Sequence, residues 1–435
     1  MKICVQGLWH LGTVTAACLA SVGHDVIGFD SDTDVINFLN AGKPTIFEPG
    51  LEELVKAGLN SGKLKFSSEV NNIDFLWVAY DTPVDDNDNA DVNFVISKIE
   101  EMIPSLNDNA IVMISSQMPI GSVKFLEKKF KELCPAKNIS FAYSPENLRL
   151  GNALNVFLKP DRIIVGVRSD KDKLIIKQLL EPITDKIEWM SVESAEMTKH
   201  AINSFLATSV VFANEIASIC EMTGADAKEV ERGLKSEQRI GYKAYVSPGV
   251  AFSGGTLARD IEFLKDVSKK HNLCIPLLES VKISNDNHKS WTKRKIQALF
   301  PSLKDITITV WGIAYKAGTD TLRRSLTVEL CNWLISQGAN VRVHDPLVKE
   351  LPFEWSKIVQ KFDDLSQSLV DTNLLLIGTK CNKYEEFFEN YFGSPLLSCN
   401  PGHKLSIIDS NRFLSFLGKY KEFNYISVGT PLETK

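Results

Sequence analysis

The chain has 435 residues, 44% of them hydrophobic and 24% charged. That globular balance excludes wholesale disorder, collagen-like and coiled-coil architectures, and at roughly 100–200 residues per domain the length predicts two to four domains. Forty-nine Lys and Arg against 54 Asp and Glu leave a net charge of −5, so no basic surplus marks a nucleic-acid binder. An anionic ligand would have to meet a local cluster of cations.

Eight cysteines include no CxxC pair, which indicates neither a zinc site nor a disulfide framework. A reducing cytoplasm is the simplest setting. After Lys2, the segment Ile3 to Gly23 carries no formal charge and has small residues at Ala16, Ala17 and Ala20, a pattern that borders on a signal peptide or a membrane span. Gln6, His10, Thr13 and Thr15 make it too polar for either, and Gly7 and Gly12 interrupt it. No other stretch reads as long and apolar enough to span a bilayer.

In chain order, Lys2–Gln6 predicts a short strand, Leu11–Val22 a helix, and Asp25–Asp30 a second strand ending in a carboxylate. Strand, glycine turn, helix, strand and acid open a nucleotide-binding βαβ unit. Asp74–Tyr80, Ala110–Ser115, Ser140–Tyr143 and Arg162–Val167 continue with apolar runs suited to buried parallel strands. Amphipathic stretches lie between them, which argues for a doubly wound sheet. Asp85–Asp91 is acidic but lacks the glycine and distal glutamate of a calcium loop, and reads as a solvated loop.

From about Ser194 to Ser290 strand signals stop. Ser194–Met222 predicts one long helix with Met197, Ala201, Phe205, Thr208 and Phe212 along one face, and a glycine-rich patch at Pro248–Gly255 follows. Strand–helix alternation returns at Ile306–Gly312. Val22–Asp30 and Gln337–Asp345 echo each other, each after a strand ending in glycine, at Gly7 and Gly312. From glycine to aspartate is 23 residues in the first case and 33 in the second, so the second unit must carry about ten extra residues in its first turn or helix. The prediction is an α/β protein: two Rossmann-like, doubly wound parallel-sheet lobes joined by a central helical segment. The boundaries are 1–190, 191–298 and 299–435.

The first glycine turn reads Gly7-Leu8-Trp9-His10-Leu11-Gly12, with Trp9 where a GxGxxG fingerprint has its middle glycine. Asp30 stands where a carboxylate would meet the adenosine ribose hydroxyls, which favours NAD over NADP. Further on come Ser144-Pro145-Glu146-Asn147-Leu148-Arg149-Leu150-Gly151 and then Glu196, Lys199 and Asn203. The last three place an acid, an amine and an amide on one helix face. Arg239-Ile240-Gly241 and Ser253-Gly254-Gly255-Thr256-Leu257-Ala258-Arg259-Asp260 follow. Gly312-Ile313-Ala314-Tyr315-Lys316, Thr319-Asp320 and Arg323-Arg324-Ser325 come last.

These blocks, in this order and over nearly the whole chain, resemble the UDP-glucose/GDP-mannose dehydrogenase family. The resemblance implies oxidation of a nucleotide sugar, a UDP-hexose first of all, at its C6 alcohol by NAD. It also implies a cytoplasmic homodimer formed through the central helix, no nucleic-acid or membrane partner, and a place in surface-polysaccharide or glycan precursor synthesis. It assigns Gly7, Trp9, Leu11, Gly12, Asp30, Thr82, Ser116 and Arg259 to the cofactor site. Glu146 becomes an acid/base for the later half-reaction, and Lys199 and Asn203 stabilise the developing alkoxide. Asp260, with Lys199 and a water, takes the alcohol proton. Glu146, Lys199, Arg239, Gly254 and Lys316 would hold the nucleotide sugar, with Arg239 a candidate to reach in from a partner subunit.

The chain departs from the family pattern at Trp9, at Leu150 in place of a second glutamate, and at Lys380 and Cys381 in place of a tryptophan. It departs most at Thr256, the position of the family's nucleophilic cysteine. A thioester route through a threonine hydroxyl is excluded. Three outcomes stay open on the sequence. The acid could be reached through a hydrated aldehyde. Two-electron oxidation could stop at the aldehyde or act on another hydroxyl. The chain could be a non-catalytic nucleotide-sugar-binding paralogue.

Overall fold

The computed structural model describes residues 2–83, 85, 90–146, 148–253, 255–391 and 404–431. The chain opens with β1 (Lys2–Gln6), α1 (His10–Ser21), β2 (Asp25–Phe29), α2 (Thr33–Asn40), α3 (Leu51–Asn60), β3 (Leu64–Ser67), β4 (Ile73–Val78), α4 (Val92–Glu100) and β5 (Leu106–Ile114). It continues with α5 (Ser122–Leu133), β6 (Ser140–Tyr143), α6 (Ala153–Leu158), β7 (Ile163–Gly166), α7 (Asp170–Leu180) and β8 (Ile187–Met190). These strands form one eight-stranded sheet in the order β3-β2-β1-β4-β5-β6-β7-β8. Its pairs are parallel except β6 with β7. Apolar clusters built around Ile3, Val5 and Leu19, and around Leu76, Val112 and Phe141, make up its core. The signal-peptide-like segment is therefore a strand, a turn and a helix.

The helical middle comprises α8 (Val192–Thr223), α9 (Ala227–Ser236), α10 (Gly255–Lys270), α11 (Pro276–Lys289) and α12 (Trp291–Leu299). Then follow β9 (Thr307–Trp311), α13 (Leu326–Ser336), β10 (Asn340–His344), β11 (Val359–Lys361), α14 (Leu365–Leu369), β12 (Leu374–Ile377), α15 (Asn382–Tyr391), β13 (Leu405–Ile408) and β14 (Phe423–Ile426). The second sheet is all parallel, in the order β11-β10-β9-β12-β13-β14. Both sheets reverse strand order beside the strand that opens the lobe, at β1/β4 and at β9/β12. Such switch points are where doubly wound sheets take ligands. The chain divides into two units, one of Met1–Ile202 with Glu262–Leu273 and one of Asn203–Ile261 with Cys274–Lys435.

The internal echo is structural. Gly7 N–H donates to Phe29 O at 3.1 Å, and Gly312 N–H donates to His344 O at 2.8 Å. The extra residues of the second unit all lie in its first turn, because α1 begins at His10 and α13 only at Leu326. The two acids differ. Asp30 accepts from Leu8 N (2.9 Å) and Asp32 N (3.1 Å). Asp345 is buried and accepts from four amides, those of Ile313, Ala314, Leu347 and Val348, at 2.9–3.2 Å.

One expectation is corrected. Among the described residues α8 is long and apolar enough, by length and composition, to cross a membrane, although half of its most apolar stretch is buried within the chain. Its apolar residues lie on two faces. Ala195, Ala207, Val211 and Ala217 are packed, while Met197, Phe205, Phe212, Ile219 and Met222 are exposed.

Tight packing fixes the glycine turn. Gly7 sits at φ +93°, and a Cβ on Gly12 would come within 1.8 Å of Gly7 O. Gly12→Ala must therefore push α1 away from β1. It should lower the thermal midpoint and weaken NADH binding more than about tenfold, read by calorimetry and fluorescence titration.

Candidate active site

In the first unit the glycine turn leads into α1 with Trp9 as its N-cap. The indole is 47% exposed, so the bulky ring that replaces the usual glycine turns out to solvent. Leu11 N–H is engaged by Asp81 Oδ2 at 3.2 Å, so a pyrophosphate at this helix end competes with a carboxylate. Asp30 keeps acceptor capacity beyond its two amide bonds, because a carboxylate has about four lone-pair sites. Thr82 Oγ1 donates to Gln117 O at 2.7 Å, which ties the segment after β4 to the segment after β5. Ser116 is fully buried, and among the described residues its Oγ meets no hydrogen-bond partner. An orphaned buried hydroxyl at the end of a central strand is the observation that fits a bound dinucleotide best.

Lys199 lies on the same side of this lobe. Its side chain is 6% exposed, and Nζ donates to Glu146 O at 2.5 Å and lies 3.4 Å from Glu146 Oε1. Glu146 Oε2 accepts from Leu148 N at 2.7 Å. The lysine thus anchors the strand-end loop that carries the predicted acid/base.

Glu196 departs from its predicted company. Its carboxylate accepts from Gly121 N (2.7 Å) and Val123 N (3.0 Å) at the start of α5. Burial pushes its pKa up, and those two amide bonds oppose the shift. It is a structural cap for α5 rather than a partner of the lysine. His200 is also buried and makes a 3.0 Å hydrogen bond with Met118 O.

In the second unit, Asn203 lies one helical turn beyond Lys199 on α8 and donates through Nδ2 to Asp260 Oδ2. Asp260 is fully buried and Asn203 nearly so. A buried carboxylate needs such donors. Thr256 is exposed and stands one turn before Asp260 on α10, with Arg259 buried next to that aspartate.

The long turn after β9 holds Tyr315, Lys316 and Arg324, closed by Tyr315 N–H to Thr321 O at 2.7 Å. Burial raises the Tyr315 pKa, and a hydrogen bond with Ser253 opposes the shift. That bond brings the glycine-rich patch and this turn together. Lys316 is exposed, and so is Arg239, whose Nε pairs with Glu237 at 2.9 Å. Gly254, Asn147 and residues 86–89 of the acidic run lie outside the described residues.

The sequence reading missed Glu48. It is buried and receives His10, Gly151 and Ala153. Its one local signal was an acid before the Pro49-Gly50 step that opens α3.

Comparison with known proteins shows the family. Residues 1–184 match the NAD binding domain of the UDP-glucose/GDP-mannose dehydrogenase family, residues 193–287 its central domain and residues 309–396 its UDP binding domain. The chain belongs to this family.

It is 33% identical over 357 residues to the UDP-glucose 6-dehydrogenase of Rickettsia bellii, covering 80% of this chain and 81% of that one. It is 29% identical over 438 residues to UDP-glucose 6-dehydrogenase TuaD of Bacillus subtilis, covering 99% and 93%. A UDP-glucose dehydrogenase structure from Pyrobaculum islandicum superposes with a TM-score of 0.85 at 25% identity, covering 99% and 98% of the two chains. The chain is an NAD-dependent oxidoreductase of the nucleotide-sugar dehydrogenase kind.

A buried ammonium held by a backbone carbonyl has the charge to stabilise an oxyanion placed beside it. Lys199→Met should lower turnover by about 100-fold or more while NADH affinity stays within about threefold, checked by steady-state rates and NADH fluorescence. Unchanged turnover would remove Lys199 from the site.

Proposed function

We propose that this protein oxidises the C6 alcohol of a UDP-hexose to the uronic acid, with NAD as oxidant. The observation that carries the reading is the order of groups along α8. Lys199 holds Glu146, and one turn later Asn203 holds Asp260.

In this reading the Lys199 ammonium and the Asn203 amide stabilise the sugar oxygen as charge builds on it. Asp260 accepts the alcohol proton through a water. Gly7, Trp9, Leu11, Gly12, Asp30, Thr82, Ser116 and Arg259 hold the dinucleotide, which when bound supplies the hydride acceptor. Glu146, Lys199, Arg239, Gly254 and Lys316 hold the nucleotide sugar. The divisions at 1–190, 191–298 and 299–435 then separate a dinucleotide lobe, a dimerisation segment and a nucleotide-sugar lobe.

Thr256 decides the second half-reaction. Without a thiol no thiohemiacetal forms there, so the route to the acid passes through the hydrated aldehyde, with Glu146 activating water. The experiment is a panel of UDP-, GDP-, CDP- and dTDP-sugars scored by NADH yield and product mass. UDP-hexose should give about two NADH per sugar nucleotide and the uronic acid. A yield of about one with an aldehyde product would show that oxidation stops halfway, and no NADH from any sugar nucleotide would leave a binding paralogue.

The same reading includes a cytoplasmic homodimer. Met197, Phe205, Phe212 and Ile219 recur along α8 at steps of seven or eight and are all exposed, a stripe suited to another helix face. Phe205→Glu should turn a dimer into a monomer in sedimentation equilibrium. A wild-type chain that sediments as a monomer would refute the dimer.

A further inference from the structure

Glu48 sits between two parts of the first unit that the proposed reaction uses separately. Its side chain is only 1% exposed. Oε2 is 2.9 Å from His10 Nε2 and also accepts Gly151 N–H at 2.9 Å. Oε1 accepts Ala153 N–H at 2.7 Å. His10 is the first residue of α1, directly after Trp9 in the glycine turn, and Trp9 O accepts Thr13 N–H within the first helical turn. Gly151 and Ala153 end the loop that begins at Glu146, and the other end of that loop is held by Lys199 through Glu146 O.

One buried carboxylate therefore bridges residues 38 and more than 100 positions away in sequence. Burying a carboxylate is costly unless its oxygens are met, and here they are met by donors from both parts at once. Moving either part strips a donor from a buried charge, so the two are expected to settle together.

We propose that Glu48 is a positioning residue that couples the dinucleotide turn to the Glu146 loop, so that ordering one orders the other. This rests on the dehydrogenase reading above, in which the turn holds NAD and the loop faces the sugar. Linkage then requires each ligand to tighten the other by the same factor. A carboxylate that merely stabilised the fold would change stability without touching that factor.

The test uses the full chain with NADH and UDP-glucose as probes, a pair that does not turn over. NADH affinity is measured by fluorescence with and without saturating UDP-glucose. Deuterium exchange of the 148–154 peptide is followed with and without NADH alone. In the parent, UDP-glucose should tighten NADH by about fivefold or more, and NADH should slow exchange of that peptide.

Glu48→Gln keeps the shape but places an amide against a donor. His10→Ala leaves both loop bonds in place, which keeps the test decisive if the first variant folds poorly. Either variant should bring the affinity ratio to about one and abolish the exchange response, with NADH affinity alone within about threefold of the parent. Variants that retain the parent ratio, or a parent whose ratio is already one, overturn the coupling while leaving the dehydrogenase reading intact. A parent that binds neither probe sinks that reading and this inference together.

Discussion

A lysine ammonium withdrawn from water constrains much of the first unit. Lys199 is nearly enclosed, and its donors reach Glu146 O and come near Glu146 Oε1. An ammonium in such a place is tolerated only where acceptors meet it. The loop after β6 must therefore turn back toward α8 and bring a carboxylate with it. α8 in turn is held by Glu196 capping α5 and by His200 against Met118 O. Farther along the same helix, Glu221 accepts from Trp291 Nε1, Lys295 and Gly429 N in the second unit. Lys199 and Asn203 are thus carried on a helix whose buried side is held at several points in each unit. That is the kind of rigid support that preorganised electrostatics requires.

Local patterns were the legible part. Lys2–Gln6, the Gly7 turn and Asp25–Asp30 sit within one βαβ unit, so periodicity and glycine spacing sufficed to place β1, α1 and β2. The echo at Gly312 and Asp345 was visible for the same reason, and the length difference showed that residues had been inserted somewhere. What sequence could not resolve was which partner each acid finds. Glu196 read as part of a trio with Lys199 and Asn203 because helical spacing puts them on one face. The contact that claims its carboxylate comes from amides more than 70 residues earlier. Glu48 escaped notice altogether, since its partners are distant backbone groups that carry no residue-type signature.

The hydrophobic reading of α8 shows a related limit. Composition alone could not separate the packed alanines and valines from the phenylalanines and methionines left at the surface. Both belong to one long helix, and a helix apolar on opposite sides reads as uniformly apolar in a linear window. The distinction lies in which side has neighbours, and that is a tertiary fact. Thr256 is the opposite case. Its chemistry is legible from one letter, because a hydroxyl cannot replace a thiolate as an acyl carrier. The structure adds only that it stands exposed, one turn from a buried aspartate.

The two lobes share a strand, a glycine turn and a closing acid, but not the state of that acid. Asp30 spends part of its acceptor capacity on the turn amides and keeps the rest, whereas Asp345 gives both oxygens to four backbone donors and is sealed from solvent. An adenosine ribose arriving at the later lobe would find its counterpart acid already saturated. In that lobe the acid pins the turn, and its oxygens are committed to the backbone.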